Sequence, residues 1–159
     1  MRRQSKVAGR RSKSVVSNAR PSTSDPRPAI EVSAALIFRD GKLLVTRRYA
    51  NAHLGGLWEF PGGKREPGET FERCLVREIR EELGVDIAVG NLFESVTHAY
   101  PEKTVHLKFY VCRLLKGEPR PLGCEAVNWA GRSELDDYEF PAADEQLLQK
   151  LKNLRMAWA

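Results

Sequence analysis

Apolar and polar residues alternate over several short stretches of this chain, a pattern typical of β-strands that bury one face. The segment IEVSAALIFRDGKLLVTRR contains two such stretches separated by Asp40-Gly41, a dipeptide typical of a tight hairpin turn. A later segment, TVHLKFYVCRLL, has an apolar residue at every second position from Val105 to Val111. LFESVTHAY before it and EAVNWA after it are also predicted strands. Predicted strands therefore lie on both sides of a central segment that contains FERCLVREIREEL.

Two segments have the spacing of helices. In FERCLVREIREEL, Leu75, Ile79 and Leu83 share one face, and Gly84 follows as a residue that tolerates the positive φ of a helix C-terminus. Near the end of the chain, PAADEQLLQKLKNL repeats leucine at helical spacing, with Asp144 near the predicted helix start. Strands, a central helix, further strands and a final helix predict an α/β fold with a mixed β-sheet sandwiched between helices.

Charge is distributed unevenly over the 159 residues. Residues 1–28 contain eight Lys or Arg and one Asp, so this Ser-, Arg- and Pro-rich segment carries a net charge of +7 and the remainder of the chain −2. Such a segment cannot bury enough apolar surface to offset its ordering entropy. We therefore predict a disordered basic tail at 1–28 and one folded domain at 29–159. The tail has three interpretations: a solvated extension, a contact to polyanions such as nucleic acid, or an organelle transit peptide.

The sequence contains no candidate for a membrane span or a secretory signal. No apolar run approaches the roughly 18 residues that a span needs, and the N-terminus has no apolar core. We expect a soluble cytoplasmic protein without a membrane partner, and the sequence leaves its oligomeric state open. Cys74, Cys112 and Cys124 have no C-x-x-C spacing, so we expect buried thiols rather than disulfides or a zinc site.

The central helix carries three glutamates close together. At 100° per residue, Glu78, Glu81 and Glu82 fall within an arc of about 100°, whereas the arginines of this helix fall on another face. One interpretation is an ordinary solvated helix with Glu–Arg pairs; the other is a set of carboxylates that converge on a cation. Carboxylates and a nearby backbone carbonyl are hard oxygen donors that suit Mg²⁺ or Mn²⁺, with substrate phosphates as further ligands. The residues alone therefore favour a Mg²⁺-assisted phosphate site.

The same stretch resembles the Nudix box, Gly-x5-Glu-x7-Arg-Glu-aliphatic-x-Glu-Glu-x-Gly-aliphatic. Residues 63–85 match every defined position, namely Gly63, Glu69, Arg77, Glu78, Ile79, Glu81, Glu82, Gly84 and Val85. Outside the box, VTRRYANAHLGGLWEFPGGK and EFPAADEQLLQKL look like the flanks of MutT-type 8-oxo-dGTP diphosphatases and their pyrimidine-nucleotide relatives. The resemblance covers about residues 30–155 and implies the Nudix fold.

This resemblance implies a hydrolase of phosphoric anhydrides. Nudix enzymes hydrolyse a nucleoside diphosphate linked to another group, and MutT-like members convert a nucleoside triphosphate to a monophosphate and pyrophosphate. By motif position, Arg77 would orient Glu78, and Glu69 would support the loop–helix–loop. The groups that would hold Mg²⁺ or Mn²⁺ are Glu78, Glu81, Glu82 and the carbonyl of Gly62 or Gly63.

The expected role is the removal of oxidised or non-standard (deoxy)nucleoside triphosphates, of the 8-oxo-dGTP diphosphatase type, in nucleotide-pool sanitation and DNA repair. The alternatives are a CTP- or dCTP-type pyrophosphohydrolase, an RNA 5′-pyrophosphohydrolase aided by the basic tail, and a Nudix-fold nucleotide sensor that does not hydrolyse. Regulatory members typically lose box carboxylates, whereas this chain keeps all of them.

Several residues outside the helix are candidates for substrate binding. Lys64, Arg47 and Arg48 could contact phosphates, because cationic groups stabilise charge on phosphoryl oxygens. We expect only one of the two arginines to contact substrate. The alternative is that both are solvated residues at the end of a strand. His53 and Phe60 are candidates for the base pocket, and a loop histidine and a core phenylalanine would give the same pattern.

One departure from the MutT pattern concerns the general base. Several MutT-like sequences carry a glutamate six residues before the tryptophan of the late strand, where this chain has Gly123. Glu125 is the nearest substitute, with a solvent-facing role as its alternative. The general base therefore stays open between Glu78, Glu82 and Glu125.

A second departure concerns the base pocket, where FPAAD replaces the FPxAN segment and Asp144 replaces an asparagine. An ionised aspartate only accepts hydrogen bonds, so it would favour an exocyclic amino group such as that of cytosine or adenine. A protonated Asp144 could donate one hydrogen bond, since an apolar pocket raises the pKa of a carboxyl group. The remaining interpretation, which does not exclude base contact, is an N-terminal cap of the final helix.

Overall fold

The computed structural model describes residues 29–155 and residue 158, so the predicted tail at 1–28 lies outside the described residues. The strands are β1 (Ile30–Arg39), β2 (Lys42–Arg47), β3 (Trp58–Glu59), β4 (Gly62–Lys64), β5 (Asp86–Ala99), β6 (Thr104–Lys116) and β7 (Ala126–Gly131). Helix α1 spans Phe71–Leu83, and helix α2 spans Glu145–Lys152. Two short 3-10 helices, Arg132–Asp137 and Ala142–Asp144, lie between β7 and α2.

The strands form a mixed sheet, as the sequence predicts. β1 runs parallel to β6, which pairs antiparallel with the long strand β5. On its other side, β1 pairs with β2 only next to the hairpin turn and with β4 further back. β2 in turn pairs with β3 and β7. The segment from β3 to β4 therefore fills the place where β1 and β2 diverge.

The two helices cover opposite faces of this sheet. Because neighbouring residues of a strand point to opposite faces, β1 contributes to two separate core clusters. One contains Val32 and Leu36 of β1 together with Leu147 and Leu151 of α2. The other contains Ile37 of β1 and three fully buried aliphatic residues of α1, Leu75, Ile79 and Leu83. The predicted arrangement of a mixed sheet between helices is confirmed.

Local signals fix the hairpin turn and both ends of α1, and the predictions for Asp40-Gly41 and Gly84 are confirmed. Asp40 and Gly41 both have positive φ, 52° and 75°, in the turn that joins β1 to β2. The Thr70 hydroxyl accepts the Arg73 N–H at the start of α1. Gly84, with φ of 71°, ends the helix and donates its N–H to the carbonyl of Arg80. A residue with a Cβ would be strained at this conformation, so the glycine fixes the helix end.

Two features of the sheet differ from the pattern in the sequence. β5 begins at Asp86, earlier than the predicted strand LFESVTHAY. The pattern missed this first part because register shifts near Val89 and Leu92 break the two-residue alternation. The sequence pattern predicts no strand between β2 and α1, yet the stretch WEFPGGK forms β3 and β4. Both strands are too short to show a two-residue alternation of apolar and polar residues. They are ordered by pairing with the neighbouring strands, β3 with β2 and β4 with β1.

The described residues contain no helix long and apolar enough to cross a membrane. All three cysteines are buried, and none forms a disulfide between described residues. Burial raises the pKa values of the Cys74 and Cys112 thiols to about 12. Both therefore stay protonated at neutral pH, as the prediction of inert buried thiols requires.

Candidate active site

The end of β4 brings backbone against the first glutamate of the acidic helix face. A methyl carbon added to Gly63 would lie 2.1 Å from Cδ of Glu78, so no other residue fits here while Glu78 keeps its position. One added to Gly62 would lie 1.9 Å from the carbonyl oxygen of Ser33 in the neighbouring strand. The glycine pair thus allows β4 to pack tightly and places a buried carboxylate directly beside the Gly63 backbone.

Arg77 connects the loop before α1 to the acidic face. Its guanidinium donates to both carboxylate oxygens of Glu69, at 2.6 and 2.9 Å, and to the Lys64 carbonyl at 3.1 Å. It also donates to Oε2 of Glu78 at 3.1 Å. The Glu69 carboxylate in turn accepts the Glu66 N–H at 2.9 Å. Arg77 therefore fixes the Glu78 carboxylate relative to the loop, which is the geometry that its expected role needs.

The electrostatics of this cluster favour the charged forms. The hydrogen bonds from Arg77 lower the pKa of Glu69 below its ordinary value. The same bonds, reinforced by the charge of Glu78, raise the pKa of Arg77 above its ordinary value. A bidentate guanidinium–carboxylate pair is among the stronger ion pairs because its two bonds are parallel and charge-assisted. The loop–helix junction is therefore a fixed cationic support for the acidic face.

The three glutamates differ in exposure. Glu78 and Glu82, one turn apart, are buried at 6% and 9% exposure. The Glu81 side chain is 53% exposed and accepts a bond from Arg77 at 3.5 Å. The long Arg77 side chain therefore crosses to the acidic face, and the prediction that the arginines keep to a separate face is wrong for this residue.

The donor set of the acidic face fits a hard divalent ion. No three acidic, histidine or cysteine side chains of the described residues converge into a ready-made ion site. Mg²⁺ does not need one, since it usually takes one or two carboxylates and completes its shell with water and phosphate. Two buried carboxylates one turn apart, beside a glycine backbone, offer such a partial shell. The structure is thus compatible with an ion that binds to these carboxylates and completes its shell with water or with substrate phosphate.

We expect Arg77→Lys to lower kcat by roughly 10- to 100-fold, the usual effect of removing a group that orients a metal ligand. A single ammonium group cannot reproduce the planar fork that joins Glu69, Glu78 and the Lys64 carbonyl. Steady-state kinetics with a nucleotide substrate would measure the effect. Arg80→Lys, an exposed change on the same helix, is the control and should keep wild-type kcat. Wild-type kcat in Arg77→Lys would contradict the orienting role.

The candidate phosphate ligands are held differently. Lys64 is exposed at the end of β4, next to the glycine pair. Arg47 is also exposed, with its Nε bonded to the Gly56 carbonyl at 3.1 Å. Arg48 bonds the His53 carbonyl at 2.7 Å and forms a largely buried ion pair with Glu59 at 3.4 Å. The exposed Lys64 and Arg47 are better placed for phosphate than Arg48, which holds the loop after β2.

Glu125 lies directly before β7, and its carboxylate already accepts a hydrogen bond. It accepts the Ala50 N–H at 3.0 Å, while its own N–H donates to the Arg47 carbonyl at 2.8 Å. These bonds tie the loop after β2 to the strand beside it. Gly123, two residues earlier, is the residue of this loop that lies against Glu82. The geometry therefore brings Glu78 and Glu82 together on α1 and gives Glu125 a loop-supporting contact.

Two of the predicted base-pocket residues, Phe60 and Asp144, are buried. Phe60 is buried and stacks on Phe140 with ring centroids 5.1 Å apart. Asp144, which ends the second 3-10 helix and directly precedes α2, is 3% exposed, and its side chain makes no capping hydrogen bond. The interpretation of Asp144 as a helix cap is therefore wrong. Burial, and secondarily the charge of Glu59, raises the pKa of Asp144 to about 8, so its carboxyl group is mostly protonated at pH 7.

Sequence reasoning missed Glu59 as a site residue. It lies on β3 between Trp58 and Phe60, is 7% exposed, and acts on Asp144 through its charge. A lone acid inside the apolar stretch LWEF was the available signal, because buried acids are rare unless they are paired or functional. His53, in contrast, is exposed, and its carbonyl supports Arg48.

The loop–helix junction holds two buried carboxylates beside a glycine backbone, a donor set that suits a divalent ion and phosphate groups. A sequence model described as NUDIX domain matches residues 33–150, and the chain belongs to this family. The predicted enzyme class, a Nudix hydrolase, is confirmed. Nudix hydrolases generally need a divalent metal ion.

Relatives with known names support this assignment. The chain is 39% identical over 128 residues to the CTP pyrophosphohydrolase of Escherichia coli (strain K12), covering 80% of this chain and 95% of that protein. It is 34% identical over 126 residues to the 8-oxo-dGTP diphosphatase of the same organism, covering 79% and 98%. The crystal structure of a MutT Nudix hydrolase from Burkholderia pseudomallei superposes with a TM-score of 0.71 at 29% identity, covering 79% and 99%. The predicted fold class is confirmed.

Proposed function

We propose that this Nudix hydrolase converts nucleoside triphosphates with an oxidised or non-standard base, of the 8-oxo-dGTP type, to a monophosphate and pyrophosphate. Its role would be to clear damaged nucleotides from the pool that feeds DNA synthesis. The observation that carries the proposal is the complete Nudix box, whose carboxylates are held by the Arg77 cluster. A nucleotide sensor without activity would not need that arrangement.

The side chains of α1 and its neighbours suggest which residue would take which role in the reaction. Glu78 and Glu82, with Glu81 and the carbonyl of Gly62 or Gly63, would hold Mg²⁺ or Mn²⁺. When bound, such an ion supplies charge neutralisation of the diphosphate and lowers the pKa of the attacking water. Arg77 would keep the Glu78 carboxylate oriented, and Lys64 with Arg47 would balance charge on the leaving pyrophosphate. Glu78 and Glu82 are the leading candidates for the general base, since Glu125 is bonded to the Ala50 backbone.

The protonation of Asp144 bears on which base is accepted. A neutral carboxyl group offers one O–H donor and one carbonyl acceptor, as the amide of an asparagine does. It can therefore pair with the adjacent O6 acceptor and N1–H donor of a guanine-type base. The objection that an acceptor-only aspartate would reject such a base does not apply while burial keeps Asp144 protonated.

A cytosine nucleotide is the second candidate substrate. The 39% identical relative is named a CTP pyrophosphohydrolase. Cytosine presents N3 as an acceptor beside its amino donor, so a neutral Asp144 can also pair with it. The pocket chemistry is therefore compatible with both bases, and the two candidates differ in the size of the base that Phe60 and Phe140 would contact.

The deciding experiment is a substrate panel with product identification. The purified protein and Mg²⁺ are incubated with 8-oxo-dGTP, dGTP, CTP, dCTP, a nucleoside diphosphate sugar and triphosphorylated RNA, and products are separated by chromatography. The proposal requires 8-oxo-dGTP to have the highest kcat/KM, with loss of activity when the metal is chelated. A preference for CTP or dCTP would favour the second candidate, and no turnover of any compound would favour a sensor.

Deletion of residues 1–28 tests the basic tail separately. We expect turnover of free nucleotides to be unchanged, because the family match begins at residue 33. Binding of RNA, followed by fluorescence anisotropy at increasing salt, should weaken and lose its salt dependence if the tail's cations contact phosphates. Wild-type RNA binding after the deletion would contradict a polyanion-binding tail. A large loss of nucleotide turnover would contradict its independence from the active site.

A further inference from the structure

The loop between β6 and β7 caps the C-terminal end of α1, the helix that carries the three glutamates. The N–H groups of Leu122 and Gly123 both donate to the carbonyl of Glu82 at 3.0 Å, and Arg120 N–H donates to the carbonyl of Leu83 at 3.0 Å. The last carbonyls of a helix have no partner inside the helix and need capping groups or water. Here the loop provides them, and two of these bonds go to a residue whose side chain is a candidate metal ligand.

Gly123 also lies directly against the Glu82 side chain. A methyl carbon added to Gly123 would lie 3.2 Å from both Cα and Cγ of Glu82, closer than an ordinary van der Waals contact. Either the Gly123 loop or Glu82 would have to shift by a few tenths of an ångström, and because Glu82 is buried, a shift of its Cα or Cγ would also move its carboxylate. The φ of Gly123 is not positive, so space rather than backbone strain makes glycine the suitable residue.

We infer that Gly123 is a positioning residue for Glu82: its N–H holds the Glu82 backbone, and its missing side chain leaves room for the Glu82 stem. The inference rests on the proposed function, since it assigns Glu82 to the metal. It also gives a reason for the departure at this position, where several MutT-like sequences carry a glutamate. In this chain the loop acts on the metal site through Glu82 instead of supplying a carboxylate of its own.

The test compares Gly123→Ala with the wild type by Mn²⁺ binding without nucleotide, followed through the EPR signal of unbound Mn²⁺. We expect roughly 10-fold weaker binding, the scale of effect for groups that orient metal ligands. The Mg²⁺ concentration for half-maximal turnover should rise, while the KM for nucleotide at saturating metal should not change. Since Mn²⁺ binding needs no substrate, the result stands even if the proposed reaction fails.

Two control variants separate positioning from stability. Leu122→Ala removes an exposed side chain from the same loop and keeps its N–H groups, so it should bind Mn²⁺ as the wild type does. Leu148→Ala loosens the packing of α2 on the opposite face of the sheet. Wild-type Mn²⁺ binding by Gly123→Ala would overturn the inference. So would an equal loss in Leu148→Ala at a matched melting temperature, or failure of Gly123→Ala to fold, because the glycine would then have a purely structural role.

Discussion

Glu78→Gln should abolish most of the activity while leaving the fold intact. The glutamine keeps the shape of the side chain and can still accept the hydrogen bond from Arg77, but it loses the charge that would hold a divalent ion. We expect kcat to fall by about 10²–10³-fold or more, the loss typical of removing one group that stabilises transition-state charge. Steady-state turnover of a nucleoside triphosphate, with thermal melting in parallel, would measure both effects.

The control for this change is Glu72→Gln, on the exposed face of the first turn of α1. It removes the same charge from the same helix, but at an exposed residue that is not a candidate metal ligand. Both kcat and Mn²⁺ binding should therefore stay unchanged. The melting temperature of Glu78→Gln should stay close to that of the wild type, because Arg77 keeps its paired bonds to Glu69. Full activity in Glu78→Gln would rule out the proposed metal-assisted hydrolysis.

Asp144→Asn should stabilise the protein at alkaline pH and remove a pH dependence of folding. The pKa of Asp144 is raised from 3.8 to about 8 by burial, so the folded state binds more protons than the unfolded state between these values. The free energy of unfolding should therefore fall as pH rises from about 4 to about 8 and level off above. Since one pKa unit corresponds to about 1.4 kcal/mol, the difference between the variant and the wild type should reach a few kcal/mol at pH 9.

Urea unfolding of both proteins at pH 5, 7 and 9 would measure this difference. Asp137→Asn, at an exposed aspartate nearby, is the matched control and should follow the wild type at every pH. If 8-oxo-dGTP is the substrate, Asp144→Asn should also keep its activity at pH 9, where the wild type loses the donor that pairs with O6. Parallel stability curves for Asp144→Asn and the wild type would show that Asp144 does not titrate with a raised pKa.

Local chemistry explains which parts of the fold could be predicted. The turn at Asp40-Gly41, the end of α1 at Gly84 and the leucine spacing of α2 are each specified by a few adjacent residues. β3 and β4 carry no such signal, because two or three residues show no period and their order comes from partners in β2 and β1. The early start of β5 was missed for a related reason, since its register shifts interrupt the alternation.

The same distinction between local and long-range signals applies to the residues of the site. The residue types and spacing of the Nudix box could be taken from the sequence, because a helix places Glu78, Glu81 and Glu82 on one face whatever surrounds it. The partners of Arg77 could be expected only in part: its role toward Glu78 follows from motif position, whereas its bond to the Lys64 carbonyl depends on how the loop folds back. Glu59 was missed because its importance comes from its distance to a residue far along the chain.

The sequence by itself determined the family, the acidic helix and the glycine pair, because these are properties of neighbouring residues. Only the tertiary structure decided the state of Asp144, whose protonation follows from burial under segments that are distant in sequence. It likewise decided that Glu125 bonds to Ala50, 75 residues away, and that Gly123 rests against Glu82. Burial and long-range contact set pKa values and side-chain directions, and neither can be obtained from a periodic pattern.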